Sequence, residues 1–254
     1  CDVKMENCLV IANTAASSGG GIYFAGGSDA TLINVSIISN IAPSAGPGMR
    51  NWDNSNPLFT NTLFFNNKTS AIGTVIDMAN SSSTVSSTSR NNASDKGTSS
   101  PANISSSGFV DLSSTASSAL FVDFSDPMGS DGIWMTEDDG IKLLSSAATS
   151  GAGTATGAPT KDIAGYIAQT PPSIGAYEVD RCSGTYTNIY VDVNATGKNT
   201  GLSWNDAFTD LQSALDLAMC GSVNNVLTAE GTYYPTKAPN VGSTDDRDKA
   251  FYLV

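Results

Sequence analysis

The sequence predicts an all-β fold, a solenoid of parallel coils, and three observations support this prediction. A short apolar run bounded by asparagines recurs with a period of about 27 residues, and a glycine-centred pattern recurs with the same period. The composition is rich in uncharged polar residues, with only 14% charged residues. A period of this length with short strands is typical of coils that stack along one axis, because helical repeats need longer amphipathic stripes.

The asparagine-bounded runs form the first phase of the repeat. Asn7, Asn34 and Asn61 open these runs at equal intervals, and we term this interval the coil step. If the coils stack, asparagines at matching corners lie over one another and their amides bond along the axis as ladders, which is a structural role. The asparagines that close the runs are Asn13, Asn40 and Asn66. The residues expected to point inward and build one continuous core include Leu9, Ile11, Val35, Ile37, Leu63 and Phe65.

Glycine marks a second phase of the same repeat. Gly21 is followed one coil step later by Gly48, and the stretch GTVIDM comes near a further step. Two phases with one period argue against coincidence. Residues 81–107 resemble a flexible linker in composition, but we interpret them as continuing coils. Their short strands, STVSS and ANISS, are then expected to carry small polar residues.

The chain changes character after residues 173–178, SIGAYE. We predict two domains: β-helix coils over residues 1–180, and the start of a following β-helix unit over residues 181–254. The second domain contains a small α-helical cap segment, the one amphipathic helical pattern in the sequence, with Asn205 or Ser203 as its N-cap. One face of this helix is expected to carry Ala207, Phe208, Leu211, Leu215 and Ala218.

The charge of the chain limits its classes of partner. Twelve basic residues against 24 acidic ones give a net charge of −12, and histidine is absent. Because such a surface repels phosphates, a nucleic-acid partner is not expected. The sequence lacks an apolar run of about 18 residues, so membrane insertion is not expected either. The acidic excess serves solubility or attracts divalent cations.

The cysteines give no metal-site signal. Cys1, Cys8, Cys182 and Cys220 are too scattered for a zinc cluster, and no CxxC pair occurs. Their even number permits disulfides in an oxidising compartment. Their pairing stays open.

Several motifs resemble secreted bacterial right-handed, single-stranded parallel β-helix proteins with pectate-lyase-like and polymorphic-outer-membrane-protein-like repeats. The stretches IYVDVNATGKNTGLSWNDAFTDLQSALDLA, VLTAEGTYYPT and DRDKAFYLV resemble the opening of such proteins. GGGIY and the NxxIxxN coils resemble their middle, and SIGAYE resembles their last strand. The resemblance implies an adhesin-like surface or extracellular protein.

The order of these motifs is unusual, because middle and end come before the beginning. An open β-helix exposes unpaired strand edges and apolar core at its ends unless they are capped. Residues 1–8 carry no recognisable cap, and Phe251, Leu253 and Val254 stop without a coil to join. We expect the chain either to stack head to tail on copies of itself, giving filaments, or to be a fragment of a longer protein.

The most acidic stretch, DFSDPMGSDGIWMTEDDG over residues 123–140, predicts a calcium site. Six carboxylates fall between its first residue and Asp139, interrupted by glycines. Calcium takes six to eight oxygen ligands, and the spacing differs from that of an EF-hand. The stretch resembles a DxxGxDGxxxTxDDG loop near the end of related β-helix proteins. The ligands expected are Asp126, Asp131, Asp138 and Asp139, and the alternative is a solvated turn held by Asx bonds.

Catalysis is not expected. Polysaccharide lyases and hydrolases need clustered carboxylates, or calcium with a basic proton abstractor. Asp2, Lys4 and Glu6 alternate on one strand and Asp77 lies in VIDM, but acids and bases do not recur on one coil face. Histidine-dependent triads are excluded by composition.

The sequence therefore predicts a secreted, non-catalytic structural or adhesive element that assembles with itself. The alternatives are a carbohydrate-active β-helix, as polysaccharide lyase or hydrolase, and a module that binds glycans or a host surface.

Overall fold

The computed structural model describes residues 2–69, 78–97, 103–136, 138–179, 185–220, 222–235 and 249–251. The chain divides into two compact units, Cys1–Val179 and Asp180–Val254. That the second unit begins another β-helix remains a prediction. No helix in the described ranges is long and apolar enough to cross a membrane.

Unit 1 is a parallel β-solenoid. Every pairing between its named strands is parallel, in two sheets ordered β1-β3-β6-β8-β9, with β5 also on β3, and β2-β4-β7. The strands are β1 Lys4–Ile11, β2 Ile22–Phe24, β3 Thr31–Ile38, β4 Met49–Trp52, β5 Leu58–Thr60, β6 Leu63–Phe65, β7 Met78–Ser81, β8 Ala93–Ser94 and β9 Val110–Asp111. A short 3-10 turn spans Ser117–Ala119.

The register confirms the repeat. Lys4 pairs with Thr31, and Thr31 pairs with Leu58, each one coil step further along. Ile22 pairs with Met49 at the same step. The recurring segments therefore lie over one another, as the periodicity predicts. The step is longer between β6 and β8 than in the earlier coils, and it is shorter between β8 and β9.

Asparagine sets the corners of the first sheet through its backbone. Asn7, Asn34 and Asn61 have φ values of 47°, 52° and 51°. This left-handed conformation is strained for most residues but is tolerated by asparagine. Asn91 continues the row at φ 50°. Each asparagine of this row therefore bends its coil at the same position. The side chains of the strands alternate between the solenoid interior and the outer side, and so form two sets.

The two sets of side chains build two separate cores in unit 1. Val35 and Ile37 lie in the solenoid interior as predicted, with Phe59 and Phe64 beside them. The prediction of a single core is wrong for four residues, which instead face outward into a second core against residues 120–179. Successive side chains along a strand point to opposite faces of the sheet. Two residues on the same side of the asparagine whose positions within the coil differ by an odd number therefore cannot share a core. The four are Leu9, Ile11, Leu63 and Phe65.

An asparagine ladder runs along the axis, although one of its members differs from the prediction. Asn13 Nδ2 donates to Asn40 Oδ1 at 2.9 Å, and Asn40 Nδ2 donates to Asn67 Oδ1 at 3.0 Å, with 27 residues between the partners of each bond. The third member is Asn67, two full steps from Asn13. Asn66 instead has φ 57° and donates from Nδ2 to Ser39 Oγ.

Residues 81–107 continue the coils where they are described, but with fewer strands than predicted. Val85 and Ile104 are buried in the solenoid interior. Their segments stack through backbone bonds, such as Ser86 N to Pro57 O at 2.9 Å, while STVSS and the described part of ANISS form no strands. Single buried aliphatic residues thus replace regular strands here.

Unit 2 contains two parallel strands, β10 Thr185–Val191 and β11 Ser222–Thr228, with α1 Leu211–Cys220 between them in sequence. Ala214 and Leu217 of α1 pack with Phe208 and the two strands. Phe208 and Ala207 precede the helix, so the predicted helical face is wrong for them.

The N-cap of α1 also differs from the prediction. Asp210 accepts the Ser213 N–H at 3.0 Å, the bond expected of an N-cap residue. Ser203 and Asn205 instead bond Asp206, in the turn before the helix. The competing turn around Asp206 therefore moves the cap to a later residue.

Candidate functional site

The predicted calcium ligand Asp138 is engaged by its own loop. Its carboxylate accepts the Ser130 hydroxyl at 2.8 Å, the Thr136 hydroxyl at 2.9 Å and the Asp131 N–H at 3.0 Å. These hydrogen bonds, that from Ser130 first, lower the pKa of Asp138 to about 2. Asp131 closes an Asx turn by accepting the Ile133 N–H at 2.7 Å.

Asp139 has a different environment, because its side chain is fully buried. Oδ2 accepts the Met135 N–H at 2.7 Å, the Thr136 N–H at 3.1 Å and the Tyr177 hydroxyl at 2.5 Å. Burial, and then Asp139 itself, raise the pKa of Tyr177. Oδ1 is buried without a hydrogen-bond donor among the described residues. Asp139 thus ties the acidic loop to SIGAYE.

The described residues do not test the predicted calcium site, because Glu137 of the acidic loop lies outside them. No group of three or more acidic or cysteine side chains is placed to hold a metal ion in the described part of the chain. The described contacts of Asp126 are made by its backbone, which bonds Asp123 and Gly129. Calcium binding therefore stays a prediction, and melting with calcium and with a chelator tests it: an unchanged transition counts against it.

A segment that we term the strap, residues 149–179, crosses the coils on the outer side of the first sheet. It bonds the row of left-handed asparagines at several levels. Asn91 Nδ2 donates to Ala152 O at 2.9 Å, Asn61 Nδ2 to Thr154 O at 2.9 Å, and Asn7 Nδ2 to Lys161 O at 2.6 Å. These asparagines thus have a second role besides bending the coils.

SIGAYE is the buried part of the strap. The Gly175 N–H donates to Asn61 O at 2.9 Å and the Ala176 N–H to Ser36 Oγ at 2.8 Å. A Cβ at Gly175 would lie 2.9 Å from Ser36 Oγ, and the φ of 118° also requires glycine. Close approach to the coils therefore explains this glycine.

Buried charges accompany the strap. Asp162 accepts the Tyr166 N–H at 2.8 Å and the Glu178 N–H at 3.1 Å. Burial raises the pKa of Asp162 to about 6, and Lys142 opposes this rise. Glu178 in turn accepts the Ser173 hydroxyl at 2.7 Å. These hydrogen bonds join residues within the strap. They do not arrange an acid and a base around a space that a substrate could occupy.

The residues considered for catalysis are exposed or undescribed. Lys4 Nζ and Glu6 Oε1 form an ion pair of 2.6 Å with both side chains exposed, which contributes little to stability. Asp2 accepts the Asp29 N–H at 3.3 Å and so belongs to a bond between coils. Asp77 lies outside the described residues.

The remaining candidate site is the open coil face, formed by β1 at the first edge of its sheet. β1 pairs with β3 on one side, and no described strand pairs with its other side. Three interior side chains on β1 are only partly buried, namely Met5, Cys8 and Val10. The Cys8 thiol is free and donates to Glu6 O at 3.2 Å.

The other cysteines add no information about pairing. Cys1 and Cys182 lie outside the described residues, as does the side chain of Cys220. The strands, ladders and strap define unit 1 as a parallel β-solenoid. Searches of protein-family models, of curated proteins and of solved structures find no match to the chain. The class of the protein therefore rests on its geometry.

Proposed function

We propose that the chain is a non-catalytic structural or adhesive element of a secreted β-helix protein, and that it assembles by stacking the open coil face on another copy. The observation that supports this proposal is the unpaired edge of β1 beside partly exposed interior residues. An unpaired strand edge templates the addition of another strand. The motif resemblance supports an extracellular location.

The hydrogen-bond pattern of the ladder gives the stacking a direction. The main-chain N–H and Nδ2 of Asn13 both donate to Asn40 Oδ1, and those of Asn40 both donate to Asn67 Oδ1. Asn13 Oδ1, at the end of this row, has no donor among the described residues. An incoming coil with an asparagine at this position would extend the ladder by one step.

A second copy is the occupant that fits this face best. In unit 2, β11 pairs with β10 on one side, and no described strand lies on its other side. In the proposed contact, β1 of one copy would pair with the free edge of β11 of another copy. The two strands would then run parallel, as neighbouring coils do. The contact is heterologous, and repetition of a heterologous contact that does not close yields a filament.

A charge on the open coil face tests the proposal. Met5→Lys places an ammonium at the partly exposed end of the solenoid interior, the device by which natural edge strands avoid association. We expect the wild-type chain to form larger species with rising concentration in sedimentation velocity, and Met5→Lys to shift the population to monomer.

The matched control is Ile133→Lys, which makes the same charge change at an exposed side chain of the acidic loop. It should associate as the wild type does. Equal association of Met5→Lys and the wild type would exclude the open coil face as the contact. A wild-type chain that is monomeric at every concentration would exclude the assembly itself.

A further inference from the structure

Interior side chains of the early coils of unit 1 occupy fixed positions, counted from the left-handed asparagine of each coil. They lie two residues before the asparagine, one residue after it and three residues after it. Around Asn7 these positions hold Met5, Cys8 and Val10, which all belong to the interior core. The core residues at the same positions of the next two coils are Leu32, Val35, Ile37, Phe59 and Phe64. A strand that extends the solenoid must therefore present apolar residues at these positions.

The two strands of unit 2 carry the same pattern about asparagines of their own, Asn188 on β10 and Asn225 on β11, which pair in register. Val223 lies two residues before Asn225 and Val226 lies one residue after it, and both pack against the core of unit 2. The equivalent residues about Asn188, all in or against the same core, are Tyr186, Ile189 and Val191. The inner side of β11 therefore matches the inner side of a unit 1 coil.

The asparagine amides of the two units also bond in the same direction. In unit 1, Asn61 Nδ2 donates to Asn34 Oδ1 at 2.9 Å, from the later coil to the earlier one. In unit 2, Asn225 Nδ2 donates to Asn188 Oδ1 at 3.1 Å, again from the later strand to the earlier one. No described residue donates to Asn225 Oδ1, so this oxygen can accept from an asparagine on a following strand.

Asn7 has a donor left for such a bond. Its Nδ2 donates to Lys161 O of the strap at 2.6 Å, which uses one of the two N–H groups of the amide. Asn61 shows that one amide can serve both kinds of acceptor, because its Nδ2 donates to Thr154 O of the strap as well as to Asn34 Oδ1. Asn7 therefore keeps one N–H group for a strand that lies beside the free edge of β1.

We propose that β11 of one copy pairs with β1 of the next copy in a single register, in which Asn225 lies beside Asn7. The inference rests on the proposed stacking of copies and names the residues that align it. Asn7 Nδ2 of one copy donates to Asn225 Oδ1 of the other, so the amide row of unit 2 continues into unit 1. The interior pairs that result are Val223 with Met5, Val226 with Cys8 and Thr228 with Val10.

The same register continues the apolar residues on the outer side of the strands. Leu227, two residues after Asn225, is exposed and pairs with Tyr190 of β10. Leu9, two residues after Asn7, packs against the outer core of unit 1. A shift by one residue would set Leu227 beside an interior residue of β1, because successive side chains face opposite sides. Both faces of the strands therefore select one alignment.

Disulfide formation between copies tests the register. Neighbouring strands lie about 4.8 Å apart, within the Cα separation of about 4.4–6.8 Å that a disulfide spans. In a chain with Cys1, Cys182 and Cys220 replaced by serine, Cys8 is the one cysteine that remains. Addition of Val226→Cys to this chain should give disulfide-linked multimers on mild oxidation, seen in a non-reducing gel and lost on reduction.

Two matched controls move the second thiol along β11. Val223→Cys keeps an interior position, but the proposed register sets it about 10 Å along the strand from Cys8. Leu227→Cys places the thiol on the outer side. Each control should stay without linked multimers. Val223→Cys should form them when it is combined with Met5→Cys and Cys8→Ser, because the two new thiols then lie beside each other.

Sedimentation of the same samples separates failure of the register from failure of the stacking. Thermal melting first shows that each variant is folded, and the Met5→Cys and Val223→Cys combination tests the register where Val226→Cys does not fold. Linked multimers from the predicted pairs and not from the controls support the register. Samples that sediment as larger species but link equally through the controls, or not at all, overturn the register and leave the stacking in place. Samples that sediment as monomers at every concentration overturn both.

Discussion

The two ends of the unit 1 solenoid are built from similar coils but differ in how their interior is covered. At the β1 end, Met5, Cys8 and Val10 are partly exposed members of the interior core. Near the β9 end, Ile104 belongs to the same core and is fully buried. The described residues therefore cover the solenoid interior near β9 and leave it partly accessible at β1, which is where the proposed stacking would add another coil.

Truncation of interior side chains should give the largest difference in the loss of unfolding free energy between the middle of the solenoid and its open end. Phe64 is fully buried and its ring packs edge-on against Phe59, with centroids 5.8 Å apart. We expect Phe64→Ala to lower the free energy of unfolding by about 3–5 kcal/mol. Met5→Ala should cost about 1 kcal/mol, because Met5 is already partly exposed.

Chemical denaturation at two protein concentrations measures both values. If copies stack through β1, the cost of Met5→Ala grows with concentration, because the wild-type side chain is then buried by a neighbour. An equal cost for Phe64→Ala and Met5→Ala at low concentration would contradict the description of the β1 end as open.

Substitutions in the asparagine ladder should give a smaller difference in stability loss, again with the larger loss in the middle of the solenoid. Asn40 is fully buried, donates to Val10 O and Asn67 Oδ1, and accepts from Asn13. Asn40→Ala leaves buried polar groups without partners, so we expect a loss of about 2–3 kcal/mol. Asn13→Ala at the exposed end should cost about 0.5–1 kcal/mol. Urea midpoints of the two variants measure the difference, and a larger loss for Asn13→Ala would reverse the predicted order.

Asp162, which follows the strap residue that Asn7 bonds, should make the stability of unit 1 depend on pH. Burial raises the folded-state pKa of Asp162 to about 6 from its ordinary value of 3.8. Its contribution to stability is therefore complete below about pH 4 and is lost as the pH rises through about 6, with a size on the order of 2–3 kcal/mol at most.

Denaturation at pH 4.5 and pH 7.5 measures this contribution, and Asp162→Asn should remove most of the difference between the two. The carboxylates with lowered pKa, such as Asp138, change protonation below this window and so do not obscure it. An unchanged pH dependence in Asp162→Asn would show that other groups cause it.

The stacking of the coils could be predicted because it depends on spacing alone. One coil step from Asn13 leads to Asn40 and a second leads to Asn67, and bonds connect these three. Arithmetic of the same kind could also have separated the two cores. One step from Leu9 leads to Ser36, and one step from Cys8 leads to Val35, so Leu9 and Val35 belong to different rows.

The strap could not be predicted from spacing, because its contacts join residues far apart without a period. Asn61 and Thr154 are 93 residues apart, and Ser36 and Ala176 are 140 apart. The burial of Asp139 depends on the same strap through Tyr177. Composition marks the acidic loop but does not indicate which carboxylate is buried.

Electron microscopy of the purified wild-type chain at increasing concentration tests the assembly of copies through the open coil face most directly. We expect unbranched filaments that lengthen with concentration and disappear in the Met5→Lys variant. Single particles of uniform size at every concentration would contradict it.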